Sequence, residues 1–252
     1  RLVVDLSGAG PQAKGPINCP LDAEGKISFA RLISPLLLLL ADDPARMRGI
    51  LVNDGACRAI DIRLPGPATL LTPQFPAPTG LRALTMGRLL SAFSEALFSA
   101  TGGNFPAGFE NMRLLSLWGG ADGDTSFLFR ESLGAGSGAA PHLDGIPAVP
   151  PIGGNGGMPI EVVEARYPIR IESAGLVPDS GGAGEYRGGS GAFREYRLMA
   201  AGTVSSAAGA GASGPFGGNG GSPGGAFRIT LAGMSGKPRN IPPLTAAQAF
   251  EP

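Results

Sequence analysis

The sequence predicts an α+β fold, helical in its first half and rich in antiparallel β-strands in its second. Two observations carry this reading. Between Arg82 and Ala100, apolar residues recur at helical spacing (Met86, Leu89, Leu90, Phe93, Ala96, Leu97), and Gly102-Gly103 supplies a stop. Beyond that point the pattern changes to short apolar and β-branched runs: Met112–Trp118, Thr125–Glu131, Ile160–Glu172, Gly191–Met199, Gly202–Ser206 and Ala226–Leu231. Polar and apolar residues alternate around Pro168, so Ile160–Glu172 reads as a strand with a bulge or an edge position. No repeat of solenoid period is visible, and 1–252 reads as one region with a soft boundary near 103–110, between a helical and a β part.

The first half holds shorter elements. Leu2–Leu6 is an apolar strand ending at Ser7-Gly8, and a turn-rich loop follows through Pro11, Gly15 and Pro16. Ile27–Leu40 has helical spacing, with Pro35 as a break or kink and Ala41-Asp42-Asp43-Pro44 as a stop. Arg58–Arg63 alternates like a short strand before a proline-rich excursion.

Composition limits the partners. Lysine and arginine total 20, as do aspartate and glutamate, so the chain has no net charge and lacks the basic footprint of a nucleic-acid binder. The longest apolar run, Leu36–Ala41, is too short to cross a bilayer, and no signal-like start is present. Cys19 and Cys57 lie in no metal or redox spacing and read as buried or incidental thiols of a reducing compartment, with the cytoplasm as default. Glycine (42) and proline (24) together exceed a quarter of the 252 residues, a fraction that marks low complexity in most chains, yet the apolar content is that of a folded protein. The first residue is arginine, so the sequence is expected to be part of something larger.

Searches for self-sufficient chemistry fail. There is no HExxH and no Cys/His cluster; the single histidine, His142, cannot hold a metal alone and reads as a solvent-facing loop residue before a catalytic one. Ala232–Pro238 (AGMSGKP) lacks the glycine spacing of a phosphate loop and has proline where a hydroxyl would meet magnesium. Gly220–Gly224 matches GxSxG in form, but proline and glycines follow where a nucleophile elbow needs a helix. What remain are three polar loops punctuated by glycine: one with Asp5, Ser7 and Asn18, one with Asn155, Glu161 and Glu164, and one with Asp179, Ser180 and Arg187. Glycine lets a backbone approach a ligand or another chain, and Asp-Ser-Gly equally makes an ordinary turn.

Taken in order, VDLSGAGPQAKGPIN, PIEVVEARYPIRIE and LVPDSGGAGEYRGGSGAFREY resemble the hydantoinase B/oxoprolinase family over Val3 to about Arg239. Acetone and acetophenone carboxylases carry related subunits. The resemblance implies a cytoplasmic heteromeric enzyme, a hydrolase of the hydantoinase or 5-oxoprolinase type. A hydantoinase A-like ATPase partner would hold ATP and Mg and activate a small cyclic amide by phosphorylation. The B-type portion would then direct water at it, or a carbon nucleophile in a ketone carboxylase. It further implies that only the C-terminal half is present. A divalent metal would belong to the N-terminal half, on the same or a separate chain, with none bound by this chain alone, which by itself is expected to be inactive. The family's glycine-rich ending is absent after Glu251-Pro252, and small residues replace larger polar ones in Ser206–Gly225.

For such chemistry Asp5, Ser7, Asn18 and Glu161 are the expected catalytic residues, supplying oxyanion donors and a carboxylate that positions water. Asn155, Asp179, Ser180 and Arg187 are the expected substrate-binding set, the last three also able to brace their loop. A catalytic reading expects Asp5, Asn18 and Glu161 to converge on one pocket. Separate faces would favour a non-catalytic structural subunit.

Overall fold

The computed structural model describes residues 2–21, 60–109, 113–120, 126–149, 157–208, 214–233, 237–242 and 244–250. The chain divides into two compact units, 1–105 and 106–252. The helix expected over Ile27–Leu40, Cys57 and part of AGMSGKP lie outside the described residues.

In the first unit, β1 (Leu2–Asp5) and β2 (Ile60–Arg63) pair in parallel, Leu2 opposite Ile60 and Asp5 opposite Arg63. The loop leaving β1 is tied down by backbone bonds from Gln12 to Ala68 (3.0 Å), Cys19 to Leu70 (2.9 Å) and Leu21 to Leu71 (2.8 Å). Helix α1 (Arg82–Ala100) buries Leu84, Met86, Leu90 and Leu97, one stripe of its surface. Its end follows from the two glycines. Gly102 (φ 63°) and Gly103 (φ 88°) turn left-handed, so that Gly102 N–H donates to Ser99 O (3.2 Å) and Gly103 N–H to Phe98 O (2.8 Å). Those two bonds satisfy carbonyls that the helix leaves open.

In the second unit, β3 (Arg113–Gly119), β4 (Phe127–Ser132), β7 (Gly202–Ala208) and β10 (Leu244–Phe250) form an antiparallel four-stranded sheet in the order β10–β7–β3–β4. A hairpin of β5 (Ile169–Leu176) and β6 (Ala192–Leu198) and a short pair, β8 (Ile229–Leu231) with β9 (Arg239–Ile241), complete it. Leu117, Phe129, Val163, Ile169, Val204 and Phe250 form the core, and the Phe129 ring meets Tyr167 and Tyr196 edge-on at 5.2 and 6.1 Å.

The stretch expected as one bulged strand, Ile160–Glu172, is instead helix α2 (Ile160–Arg166) followed by the start of β5. Pro159 starts the helix, its carbonyl accepting from Val162 and Val163 N–H (both 3.1 Å). Glu161 in the first turn and Arg166 in the last suit the helix dipole. Pro168 forces Tyr167 into an extended conformation, φ −128° and ψ 150°, which ends the helix. The bulge lies further on, between Ile171 and Ser173. Among the described residues no helix is long and apolar enough to cross a membrane.

Candidate functional site

Asp5 closes β1 at the C-terminal end of the parallel pair, where ligands of parallel sheets commonly bind. Its Oδ1 accepts from Ser7 N–H (2.9 Å) and its Oδ2 lies 3.5 Å from the Arg63 guanidinium, opposite it in β2. The Ser7 hydroxyl and backbone N–H, then Arg63, hold the Asp5 carboxyl below the ordinary 3.8. Asp5 and Ser7 are exposed. Asn18 is fully buried. Its Oδ1 accepts from Ala13 N–H (2.8 Å), and its Nδ2 donates to the carbonyls of Ala13 (2.9 Å), Gly15 (3.2 Å) and Pro78 (2.9 Å). Asn18 therefore braces the loop that follows Asp5 and Ser7 and ties it to the Pro78 carbonyl, with both ends of its amide engaged.

In the second unit, Glu161 stands exposed at the first turn of α2. One turn on, Glu164 Oε1 accepts from Ile171 N–H (2.9 Å), clasping the helix to β5. Asn155 lies outside the described residues. Asp5, Ser7 and Asn18 thus share one unit and Glu161 belongs to the other, so neither unit gathers all four.

The run from Asp179 to Gly191 is where glycine is a packing requirement. Gly188 N–H donates to Gly182 O (3.0 Å), Gly189 N–H to Ser137 O (2.9 Å), Ser222 N–H to Ala183 O (2.7 Å) and Gly225 N–H to Ser180 O (2.8 Å). Backbone lies directly on backbone: a Cβ on Gly181 would overlap the carbonyl of Gly188, and one on Gly136 the carbonyl of Gly189. The three described members of the expected binding set all touch this framework. Ser180 Oγ donates to Val177 O (2.8 Å) and accepts from Gly191 N–H (2.9 Å). Arg187 pairs with Asp179, itself at φ 52°, and its backbone N–H donates to Asp144 Oδ1 (2.7 Å). Asp179 and Arg187 remain exposed; Ser180 is half-buried.

A second polar cluster went unread in the sequence. Glu131 of β4 is buried and takes an ion pair from Arg194 and a hydrogen bond from the Tyr196 hydroxyl, both of β6. Arg194 also donates to Met158 O (3.2 Å), just ahead of α2. Burial, then the bond to Glu131, pushes the Tyr196 phenol far above its ordinary range.

The chain has known counterparts. Residues 1–250 match the family described as hydantoinase B/oxoprolinase. The chain belongs to that family. A protein of Pseudomonas sp. (strain NS671), assigned as the B-type component of a D-/L-hydantoinase, is 30% identical over 206 residues, covering 81% of this chain and 34% of the relative. The crystal structure of an ATP-dependent caprolactamase from Pseudomonas jessenii shares the fold with TM-score 0.68 at 22% identity, over 99% of this chain and 43% of that one. A nucleotide-free acetone carboxylase structure matches with TM-score 0.51 at 18% identity, over 81% of this chain and 26% of that one. The chain spans about a third of the length of the hydantoinase relative.

Among the described residues no three His, Cys, Asp or Glu side chains gather in a group that could hold an ion. Gly220–Gly224 is turn and irregular backbone, with Gly220 at φ 82°, so Ser222 does not sit on a nucleophile elbow. The signal for the buried cluster lay in Arg194-Glu195-Tyr196, inside the resembling segment, but its partner Glu131 is 63 positions away from Arg194.

Proposed function

We propose that this chain is the B-type portion of a cytoplasmic, ATP-dependent cyclic-amide hydrolase of the hydantoinase or 5-oxoprolinase type. It works with a hydantoinase A-like ATPase subunit and with the remaining B-type sequence, on the same or a separate chain. The match of residues 1–250 to the family carries this reading, and the fold shared with an ATP-dependent caprolactamase supports it. ATP and Mg belong to the partner and a divalent ion to the remaining B-type sequence; this chain alone binds neither and is inactive. Its own residues bind and orient. The Asp5 carboxylate, kept ionised by the Ser7 hydroxyl and N–H and by Arg63, accepts a hydrogen bond from the substrate N–H or from attacking water, with Ser7 orienting it. Asn18 braces the loop that follows them. In the second unit, Glu161, Asp179, Ser180 and Arg187 are the candidate substrate contacts; Asn155, expected with them, lies outside the described residues.

A ketone carboxylase is the second reading, favoured by the fold shared with acetone carboxylase. One experiment separates them. The full B-type protein is co-expressed with its ATPase partner and assayed for ATP turnover with hydantoin, 5-oxoproline and caprolactam, and with acetone or acetophenone plus bicarbonate. Partner-dependent ring opening coupled to ATP use is the expected result. Turnover with ketone and bicarbonate alone selects the second reading, and turnover with neither rejects both.

A further inference from the structure

The sequence contains one histidine, and it sits at a left-handed backbone position. Residues 140–143 form a tight turn closed from Ala140 N–H to Leu143 O (3.0 Å) and from Leu143 N–H to Ala140 O (3.1 Å), with Pro141 and His142 at its centre. His142 adopts φ 67°, a left-handed conformation that glycine or asparagine takes at lower cost. Its side chain is placed all the same. The ring stands edge-on to Tyr186 of the glycine loop, with centroids 6.0 Å apart and planes at 84°, and Nδ1 lies 3.5 Å from the Tyr186 hydroxyl.

The backbone on both sides is pinned. Asp144 accepts from Arg187 N–H and Gly145 N–H donates to Arg187 O, both at 2.7 Å. Arg187 pairs with Asp179, another non-glycine residue at positive φ. An imidazole–phenol pair and a guanidinium–carboxylate pair therefore stand on segments whose backbones are locked together. His142 is exposed, so no packing demand of a core explains it. A conformation of this kind persists where surrounding structure enforces it, and such residues cluster at functional sites.

We propose that His142 is a proton-transfer residue of a ligand site on the glycine-loop face, with Tyr186 beside Nδ1 and Nε2 offered to the ligand. An imidazole both accepts and donates a proton near neutral pH. Resting on the cyclic-amide reading above, the ligand is the amide at its moment of opening. The attacking water forms the new C–O bond and gives its proton to Nε2. The imidazolium returns that proton to the ring nitrogen of the phosphorylated amide, which regenerates neutral His142. The second proton of the added water follows to that nitrogen as the C–N bond breaks, and the acyl phosphate left behind is hydrolysed to carboxylate and inorganic phosphate.

The test uses the full protein with its ATPase partner and the variants His142→Asn and His142→Gly, whose residues accept the left-handed turn. Both variants are expected to melt at or above the wild-type temperature while kcat for the cyclic amide falls about 100-fold or more. Tyr186→Phe should lose less. In the wild-type complex, carbethoxylation of His142 by diethyl pyrocarbonate, read by peptide mass, should slow severalfold when the cyclic amide is present. Wild-type turnover in either variant, or undiminished carbethoxylation, overturns the proposal. So does a lower melting temperature in both, which makes the ring contact with Tyr186 a brace. A wild-type complex that opens no cyclic amide overturns the hydrolase reading by itself. Variants that then still melt higher show a histidine kept against stability.

Discussion

The Glu131 carboxylate of β4, 3% exposed, is paired with the Arg194 guanidinium of β6, 14% exposed, and this ion pair joins the β5–β6 hairpin to the four-stranded sheet. Tyr196 completes the carboxylate's partners and Met158 O takes a further Arg194 donor. Truncating one member leaves the other charge buried and uncompensated, so Glu131→Ala or Arg194→Ala should each cost about 3–5 kcal/mol. The double variant Glu131→Ala/Arg194→Ala should be milder than the sum of the singles, since it leaves neither charge of the pair alone. Urea unfolding of all three, read as a double-mutant cycle, checks this; additive losses would mean that the pair is not coupled.

Glycine has two different meanings along this chain, and substitution separates them. At Gly181 a methyl group would overlap the Gly188 carbonyl, and the colliding atom is backbone that cannot swing away. Gly181→Ala should therefore cost about 3 kcal/mol or more, at or above the upper end of ordinary overpacking. At Gly8 an added Cβ meets nothing within 4 Å. Gly8→Ala should be neutral or stabilising by up to about 1 kcal/mol through the unfolded chain. Thermal melts of the two variants provide the comparison, and equal losses would contradict the packing account of the glycine loop.

The same contrast explains what was legible in the sequence. Helix α1 could be read because it lies with one stripe buried and ends on two glycines with positive φ. Helix α2 could not, because it has seven residues and buries only Val163, so its polar–apolar alternation fits a strand equally well. Strand β10, Leu-Thr-Ala-Ala-Gln-Ala-Phe, has little β propensity of its own and is held by pairing with β7. At the site, the glycine loop and its Asp179, Ser180 and Arg187 stood out by composition. Glu131–Arg194 and His142–Tyr186 did not, because each is a meeting of residues far apart in the chain.

Asn18 offers a test of the loop independent of any substrate. Its buried amide makes four hydrogen bonds, three of them donated to carbonyls. At about 1 kcal/mol for each bond, plus the carbonyls left unsatisfied, Asn18→Ala should lose about 3–4 kcal/mol of stability. Asn18→Asp keeps the acceptor for Ala13 N–H but turns a carboxylate towards carbonyl oxygens, so it should lose about as much. Urea midpoints decide it: a loss below about 1 kcal/mol in both variants would show that the loop does not depend on this amide.

Asp5 carries the pH prediction. Its folded carboxyl is held below the ordinary 3.8 by the Ser7 hydroxyl and N–H, with Arg63 adding a smaller effect. A lowered folded value means that ionised Asp5 favours the folded state. Its contribution is therefore complete above 3.8 and is lost as pH falls through the folded value. Ser7→Ala removes the hydroxyl but keeps the N–H bond, so the Asp5 value should move part of the way back towards 3.8. Arg63→Gln should move it less, because a guanidinium 3.5 Å away and exposed to solvent is screened. Carboxyl carbon chemical shifts followed by NMR from about pH 2 to pH 6 would measure both variants. A larger shift from Arg63→Gln than from Ser7→Ala would reverse the order of causes and make the cross-strand ion pair, not the turn, the group that keeps Asp5 charged.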